Sequence, residues 1–251
     1  RPSQAVSNST SNHSVKATTL HITTKRTPMK TKLTRPNCSS AFRVQPSALE
    51  VLLIAILLFL SSARSGLAAT RYVWPDSPSP GSPYTNWATA ARVIQDAVDA
   101  AAPGDEIVVT NGLYATGGRA VDGTMTKRVV IGKAVVVRSV NGPLVTLIEG
   151  YQVPGTTNGN GAIRCVYVGT NAVLSGFTLT NGHTRGFCED YNEGSGGGAW
   201  CETSAVVTNC TLSGNSAHYE GGGAWGGALN NCIVYYNWAR SGPNYYGEEW
   251  D

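Results

Sequence analysis

Three carboxylates, Glu189, Asp190 and Glu193, fall within five residues of one another in the segment HTRGFCEDYNEGSGG (183–197). Carboxylates this close suit two chemistries. They can ligate Ca²⁺, which takes roughly six to eight oxygens, or they can divide acid and base roles at a glycosidic bond. Arg185 stands in the same segment, and its planar fork matches a sugar carboxylate. Tyr191 and Tyr219 offer rings on which a sugar can stack. Glu189, Asp190 and Glu193 are therefore the candidate Ca²⁺ ligands, and Arg185, Tyr191 and Tyr219 the candidate substrate contacts. A solvated acidic loop with a lone arginine is the competing reading, and residue types alone leave it open. No catalytic residue is assigned. His183 and His218 have no Ser or Asp partner in the sequence, and no glycine-rich phosphate loop is present.

The elements that would hold these residues are repeats. CVYVGTNAVLSGFTLTNG (165–182), GAWCETSAVVTNCTLSGN (198–215) and GAWGGALNNCIVYYN (223–237) align. Val173, Val206 and Ala228 share one position, Phe177, Cys210 and Cys232 another, and Leu179, Leu212 and Val234 a third, with spacings of 33 and then 22 residues. A period of this size signals a stacked architecture, in which each unit buries its apolar side only against its neighbours. Like on like in the same chain direction gives parallel strands about 4.8 Å apart. Asn209 and Asn231 share one position and Asn215 and Asn237 another, and at both asparagine suits a corner, since it tolerates left-handed backbone and can hydrogen-bond to its copy one coil above. Gly196 to Gly198 and Gly221 to Gly223 are expected to supply positive φ at the next corner. Stacked Cys210 and Cys232 are expected to be buried free thiols, because disulfide Cβ atoms sit about 3.8 Å apart and a ladder holds them further off.

Upstream of the repeats, NWATAARVIQDAVDAAA (86–102) spaces Ala90, Val93, Ile94, Ala97, Val98 and Ala101 as one helical stripe. Pro103-Gly104 ends it. DEIVVTNGLY (105–114), KRVVIGKAVVVRSV (127–140) and PLVTLIEG (143–150) read as short strands.

The segment VIQDAVDAAAPGDEIVVTNGLY resembles the opening of right-handed parallel β-helices of the pectin-lyase-like superfamily. The repeats resemble those of polymorphic outer-membrane proteins, built on Gly-Gly-Ala-Ile and Phe-x-x-Asn. Here the motifs are Gly197-Gly198-Ala199-Trp200, Gly222-Gly223-Ala224-Trp225, Leu212-x-x-Asn215 and Val234-x-x-Asn237. Trp thus replaces Ile, and Leu or Val replaces Phe. The resemblance implies an all-β, right-handed parallel β-helix over 70–251 with an N-terminal capping α-helix. Lyases of that superfamily carry acids on a strand face, but Thr178, Thr211 and Ile233 occupy the corresponding places here. The expected function is a non-catalytic, adhesin- or passenger-like scaffold that contacts a polysaccharide or surface glycan. The alternative is a polysaccharide lyase or glycoside hydrolase. No resident cofactor is expected, with Ca²⁺ the one metal the acidic loop suits.

Leader and charge set the remaining bounds. VLLIAILLFL (51–60) is too short for a bilayer span of about 20 residues. It follows Lys30, Lys32, Arg35 and Arg43 and precedes small residues, the pattern of a signal peptide over 29–69 cleaved near Ala68 or Ala69. Residues 1–28 are expected to be disordered or non-native, and the mature protein secreted or at the cell surface or outer membrane. Residues 70–251 keep 10 of 19 basic and 15 of 16 acidic side chains, a net charge of −5. That excludes the basic face a nucleic-acid binder needs. Five of the six cysteines lie there without C-x-x-C spacing, which argues against zinc. The chain stops at Glu248-Glu249-Trp250-Asp251, shortly after a repeat, so the β-helix is expected to be truncated.

Overall fold

The structure, a computed structural model, describes residues 67–121, 123–187 and 190–247. The signal-peptide and upstream-segment expectations lie outside them, apart from the cleavage region at Ala68 and Ala69. In chain order the elements begin with β1 (Thr70–Val73), α1 (Ile94–Ala100), β2 (Glu106–Val109), β3 (Gly112–Tyr114) and β4 (Arg119–Ala120). Three coils follow: β5 (Thr126–Ile131), β6 (Val136–Ser139) and β7 (Thr146–Glu149); β8 (Ile163–Val168), β9 (Val173–Ser175) and β10 (Thr178–Thr180); β11 (Ala199–Cys201), β12 (Val206–Thr208) and β13 (Thr211–Ser213). The last elements are β14 (Ala224–Trp225), β15 (Ala228–Asn230), β16 (Ile233–Tyr235) and β17 (Tyr245–Tyr246).

These strands stack into three sheets, ordered β1-β2-β6-β9-β12-β15, β3-β7-β10-β13-β16 and β4-β5-β8-β11-β14-β17. Every pairing is parallel except β4 with β5. The protein is a parallel β-solenoid of about four turns. Its register matches the repeat alignment: Val206 pairs with Val173 and Ala228, and Leu212 with Leu179 and Val234.

Inward columns make the core. Ile107, Val137, Leu174, Val207 and Leu229 line one wall; Ile148, Leu179, Leu212 and Val234 a second; Val129, Val166, Ala199 and Ala224 a third. All but Leu229 and Val234 are at most 2% exposed. At about 1.5–3 kcal/mol for each fully buried aliphatic side chain, these columns are the main stabilising term.

The corners divide the labour differently from the expectation. Asn181, Asn209 and Asn231 take φ near +50°, as the left-handed corner requires. Asn215 donates to Asn237 Oδ1 at 3.0 Å, so the asparagine ladder forms. Of the corner glycines, only Gly196 and Gly221 have positive φ. Gly197, Gly198, Gly222 and Gly223 are needed for a different reason, the close approach of the next coil's backbone.

The helix is also shorter than its stripe. A 3₁₀ turn spans Trp87–Thr89, and the α-helix starts only at Ile94. Between them Ala91 joins the ladder, with its N–H on Tyr72 O at 2.9 Å and its carbonyl accepting from Trp74 N at 2.8 Å. A strand partner thus outcompetes helical propensity there. α1 buries Ile94, Ala97 and Val98 against the first strands. Asp105 ties the start of β1 down, accepting from Ala69 N at 2.8 Å and from the Arg71 guanidinium at 2.8 Å.

Candidate functional site

The candidate residues gather where the extra length of the first repeat leaves the coil. The described residues of this segment, 183–187 and 190–197, lie between β10 and β11 and include one 3₁₀ turn, Tyr191–Gly194. Asp190 caps that turn by accepting from Asn192 N at 2.9 Å. Glu193, 5% exposed, reaches back to an earlier coil. It accepts from Met125 N at 2.8 Å, from Thr124 N and from Thr124 Oγ1, and pairs with Arg185 at 2.6 Å. Arg185 also donates from Nε to Asn160 at 3.1 Å and to Thr124 Oγ1.

Burial alone would raise the Glu193 pKa. The two amide hydrogen bonds and Arg185 outweigh it and hold the carboxyl down at about 2. Glu193 is therefore an ionised staple between loop and coil. Depression from 4.5 to about 2 corresponds to about 3 kcal/mol of stability at neutral pH. Because the folded pKa lies below the unfolded one, this stability is complete above about pH 4.5 and fades as the pH falls toward 2. Thermal melts of the protein should lose stability across that window. Glu193→Gln should melt lower at neutral pH and show a flatter acid limb; parallel pH profiles for the two proteins would refute the staple.

Arg185, Asp190 and Glu193 line one open recess of about 410 Å³ with Thr124, Asn160 and Phe187. Phe187 is 85% exposed at its rim. The described acids do not assemble a Ca²⁺ cage by themselves: Glu193 is engaged by N–H donors and Arg185, and Asp190 accepts from its own turn. Among the described residues no three acidic, His or Cys side chains are placed to hold a metal. Glu189 lies outside the described residues.

Tyr191 and Tyr219 stack on each other at 4.7 Å and 11°, at the side of this loop. Burial and a hydrogen bond to Glu220 push the Tyr191 hydroxyl up to about 12. His183 is buried, with Nδ1 2.6 Å from Thr157 O, and burial lowers its pKa. It is a structural histidine.

Next to the loop, the outer face of the third sheet carries an aromatic column. Tyr167, Trp200, Trp225 and Tyr246 are in register. Tyr167 and Trp200 stack at 5.4 Å and 6°, and Trp200 and Trp225 at 5.0 Å and 9°. Ring faces spent on one another leave mainly edges for a ligand, so Trp in the Ile place of the motif is explained by stacking. Tyr167 donates to Glu202 at 2.7 Å and Trp225 Nε1 to Glu220 at 3.3 Å, whereas buried Trp200 Nε1 finds no partner among the described residues. Trp200, Trp225, Glu202 and Tyr245 border a second recess of about 320 Å³.

Sequence reasoning missed the residue that supports the loop from below. Arg164 is fully buried and donates to Gly196 O at 2.7 Å, Asn192 O at 2.6 Å and Ser195 O at 2.5 Å. A single arginine in a short strand reads as solvated, and its acceptors are backbone carbonyls that no residue pattern marks.

No protein-family model, no curated protein and no solved structure matches the chain. Among the described residues no helix is long and apolar enough to cross a membrane.

Proposed function

We propose that this chain is a secreted or cell-surface β-helix that binds glycans without transforming them, an adhesin- or passenger-like scaffold. We also propose that it is a distant relative of the pectin-lyase-like superfamily, with repeats akin to those of polymorphic outer-membrane proteins. The carrying observation is the state of Glu193. A general acid works best with a pKa near the operating pH, and this carboxyl is held at about 2 by Thr124, Met125 and Arg185. What it stabilises is a recess of about 410 Å³ with polar walls and the exposed Phe187 ring, a size and lining suited to a small ligand.

Affinity electrophoresis against a panel of neutral and acidic polysaccharides tests the reading. Retardation by at least one, weakened about two- to tenfold by Phe187→Ala or Tyr191→Ala, is the expected result, since one ring contact is worth about 0.5–1.5 kcal/mol. Release of unsaturated uronides from pectate with Ca²⁺ would instead establish the lyase alternative. N-terminal sequencing of secreted protein should begin next to Ala68 or Ala69.

A further inference from the structure

We propose that Cys210 and Cys232 are an oxidisable pair, with Cys232 as the attacking thiol, Cys210 as the resolving thiol and a small-molecule disulfide as the oxidant. The geometry is that of two identical corners stacked on each other. Asn209 and Asn231 turn with φ of 53° and 51°, and each cysteine follows its asparagine. Ile233 N donates to Cys210 O at 2.9 Å, and Thr211 pairs with Ile233 in parallel register. The two side chains therefore lie one above the other, after Phe177 in the same column. Both are free thiols in this structure.

Their environments differ in the way the two roles require. Cys210 is 1% exposed, takes a hydrogen bond from Phe177 N at 3.4 Å, and has Thr208 O 3.2 Å away. Cys232 is half-buried, 3.4 Å from Asn230 O and 3.5 Å from Val207 O. Each thiol lies close enough to the other to perturb it, lowering the pKa of Cys232 and raising that of Cys210. Cys165 and Cys201 are fully buried, and desolvation pushes both up to about 12. Thiolate chemistry thus converges on the one accessible sulfur of the pair.

The ladder also permits the bond. Parallel neighbours hold Cα atoms about 4.8 Å apart, inside the disulfide range of about 4.4–6.8 Å, and the Cβ atoms must close by about 1 Å. Each cysteine sits in a corner just before its strand, Thr211–Ser213 or Ile233–Tyr235, and not within the ladder, so the corner can supply that movement. The reaction balances in two exchanges. The Cys232 thiolate attacks one sulfur of the small disulfide, breaking its S–S bond and releasing one thiolate. Cys210 then gives its proton to solvent and attacks the Cys232 sulfur of the mixed disulfide, releasing the second thiolate. The protein loses two electrons and two protons, and the small disulfide is reduced to two thiols.

The test is incubation of the full chain with oxidised glutathione at about pH 7.5, followed by non-reducing peptide mapping by mass spectrometry. The expected product is a Cys210–Cys232 linked peptide two hydrogens lighter than its parts. Cys210→Ala should instead trap glutathione on Cys232. On the native wild-type protein, iodoacetamide should modify Cys232 at least about tenfold faster than Cys165 or Cys201. That readout holds even if the variant fails to fold. A linked peptide pairing Cys232 with a different cysteine, absence of any adduct or link, or equal alkylation rates would overturn the proposal.

Discussion

Gly197→Ala should abolish the cooperative melt of the solenoid or lower its midpoint by about 8–16 °C, an effect of about 4 kcal/mol in a domain of this size. A Cβ at this position would lie 2.4 Å from Ser216 O and 2.7 Å from Gly222 O. Both atoms are backbone of the next coil, so no rotamer change relieves the clash. Gly197 is also hydrogen-bonded to both neighbours. Its N–H donates to Gly221 O at 3.2 Å, and its carbonyl accepts from Cys165 N at 3.4 Å. Pushing the coils apart to make room breaks bonds on both sides and opens the core column beside them. Gly132→Ala is the matched control. Its nearest contact would be Val130 Cγ1 at 4.0 Å, and the variant should stay within about 1 kcal/mol of the wild type by calorimetry. Equal melting of the two variants would show that coil spacing is softer than this packing implies.

Arg164→Met should cost about 3–5 kcal/mol, with the damage concentrated in the 183–197 loop. The guanidinium is fully buried, and desolvation lowers its pKa to about 10 without neutralising it at physiological pH. Its charge is matched by carbonyls of Asn192, Ser195 and Gly196, all in that loop. Methionine fills much of the volume and supplies none of the donors, leaving buried oxygens unsatisfied. Limited proteolysis should then cut first between residues 186 and 193, before the strands are lost. Arg164→Lys, which can satisfy one or two of the carbonyls, should fall between the variant and the wild type. A loop as resistant in Arg164→Met as in the wild type would mean that the Glu193 staple suffices alone.

The columns of the solenoid were legible because stacking places like residues over like. Leu179, Leu212 and Val234 reveal their shared position by type and spacing alone, and the asparagine corners do the same. What the residue types could not show depends on contacts between segments far apart in sequence. The helical stripe beginning at Ala90 is real, but Ala91 finds a strand partner in Tyr72 and Trp74 that no local pattern announces. Gly197 looks like a turn glycine until the next coil's carbonyls are in place. Arg185, Asp190 and Glu193, all drawn from the acidic loop, line one recess. The role of Glu193 was not legible, because its donors, Thr124 and Met125, lie an earlier coil away and two of them are backbone amides.

The register carries a consequence for how such a chain can vary. Across the three repeats the step from the first sheet to the second is constant, with Val173 to Thr178, Val206 to Thr211 and Ala228 to Ile233 each five residues, whereas the earlier coils take seven, Glu106 to Leu113, and eleven, Val136 to Leu147. The step from the second sheet to the third is not: Thr178 to Ala199 is 21 residues and Thr211 to Ala224 is 13, which supplies eight of the eleven residues separating the 33- and 22-residue turns, the other three lying between the third sheet and the first. Of the corners in these coils, one is clamped by left-handed asparagines and another is free to grow. Within the repeats, most added length would therefore emerge along the edge between the second and third sheets, one insertion above another. Length variation there would act as a one-sided margin on which recognition loops are written while the stacked text beneath stays unchanged.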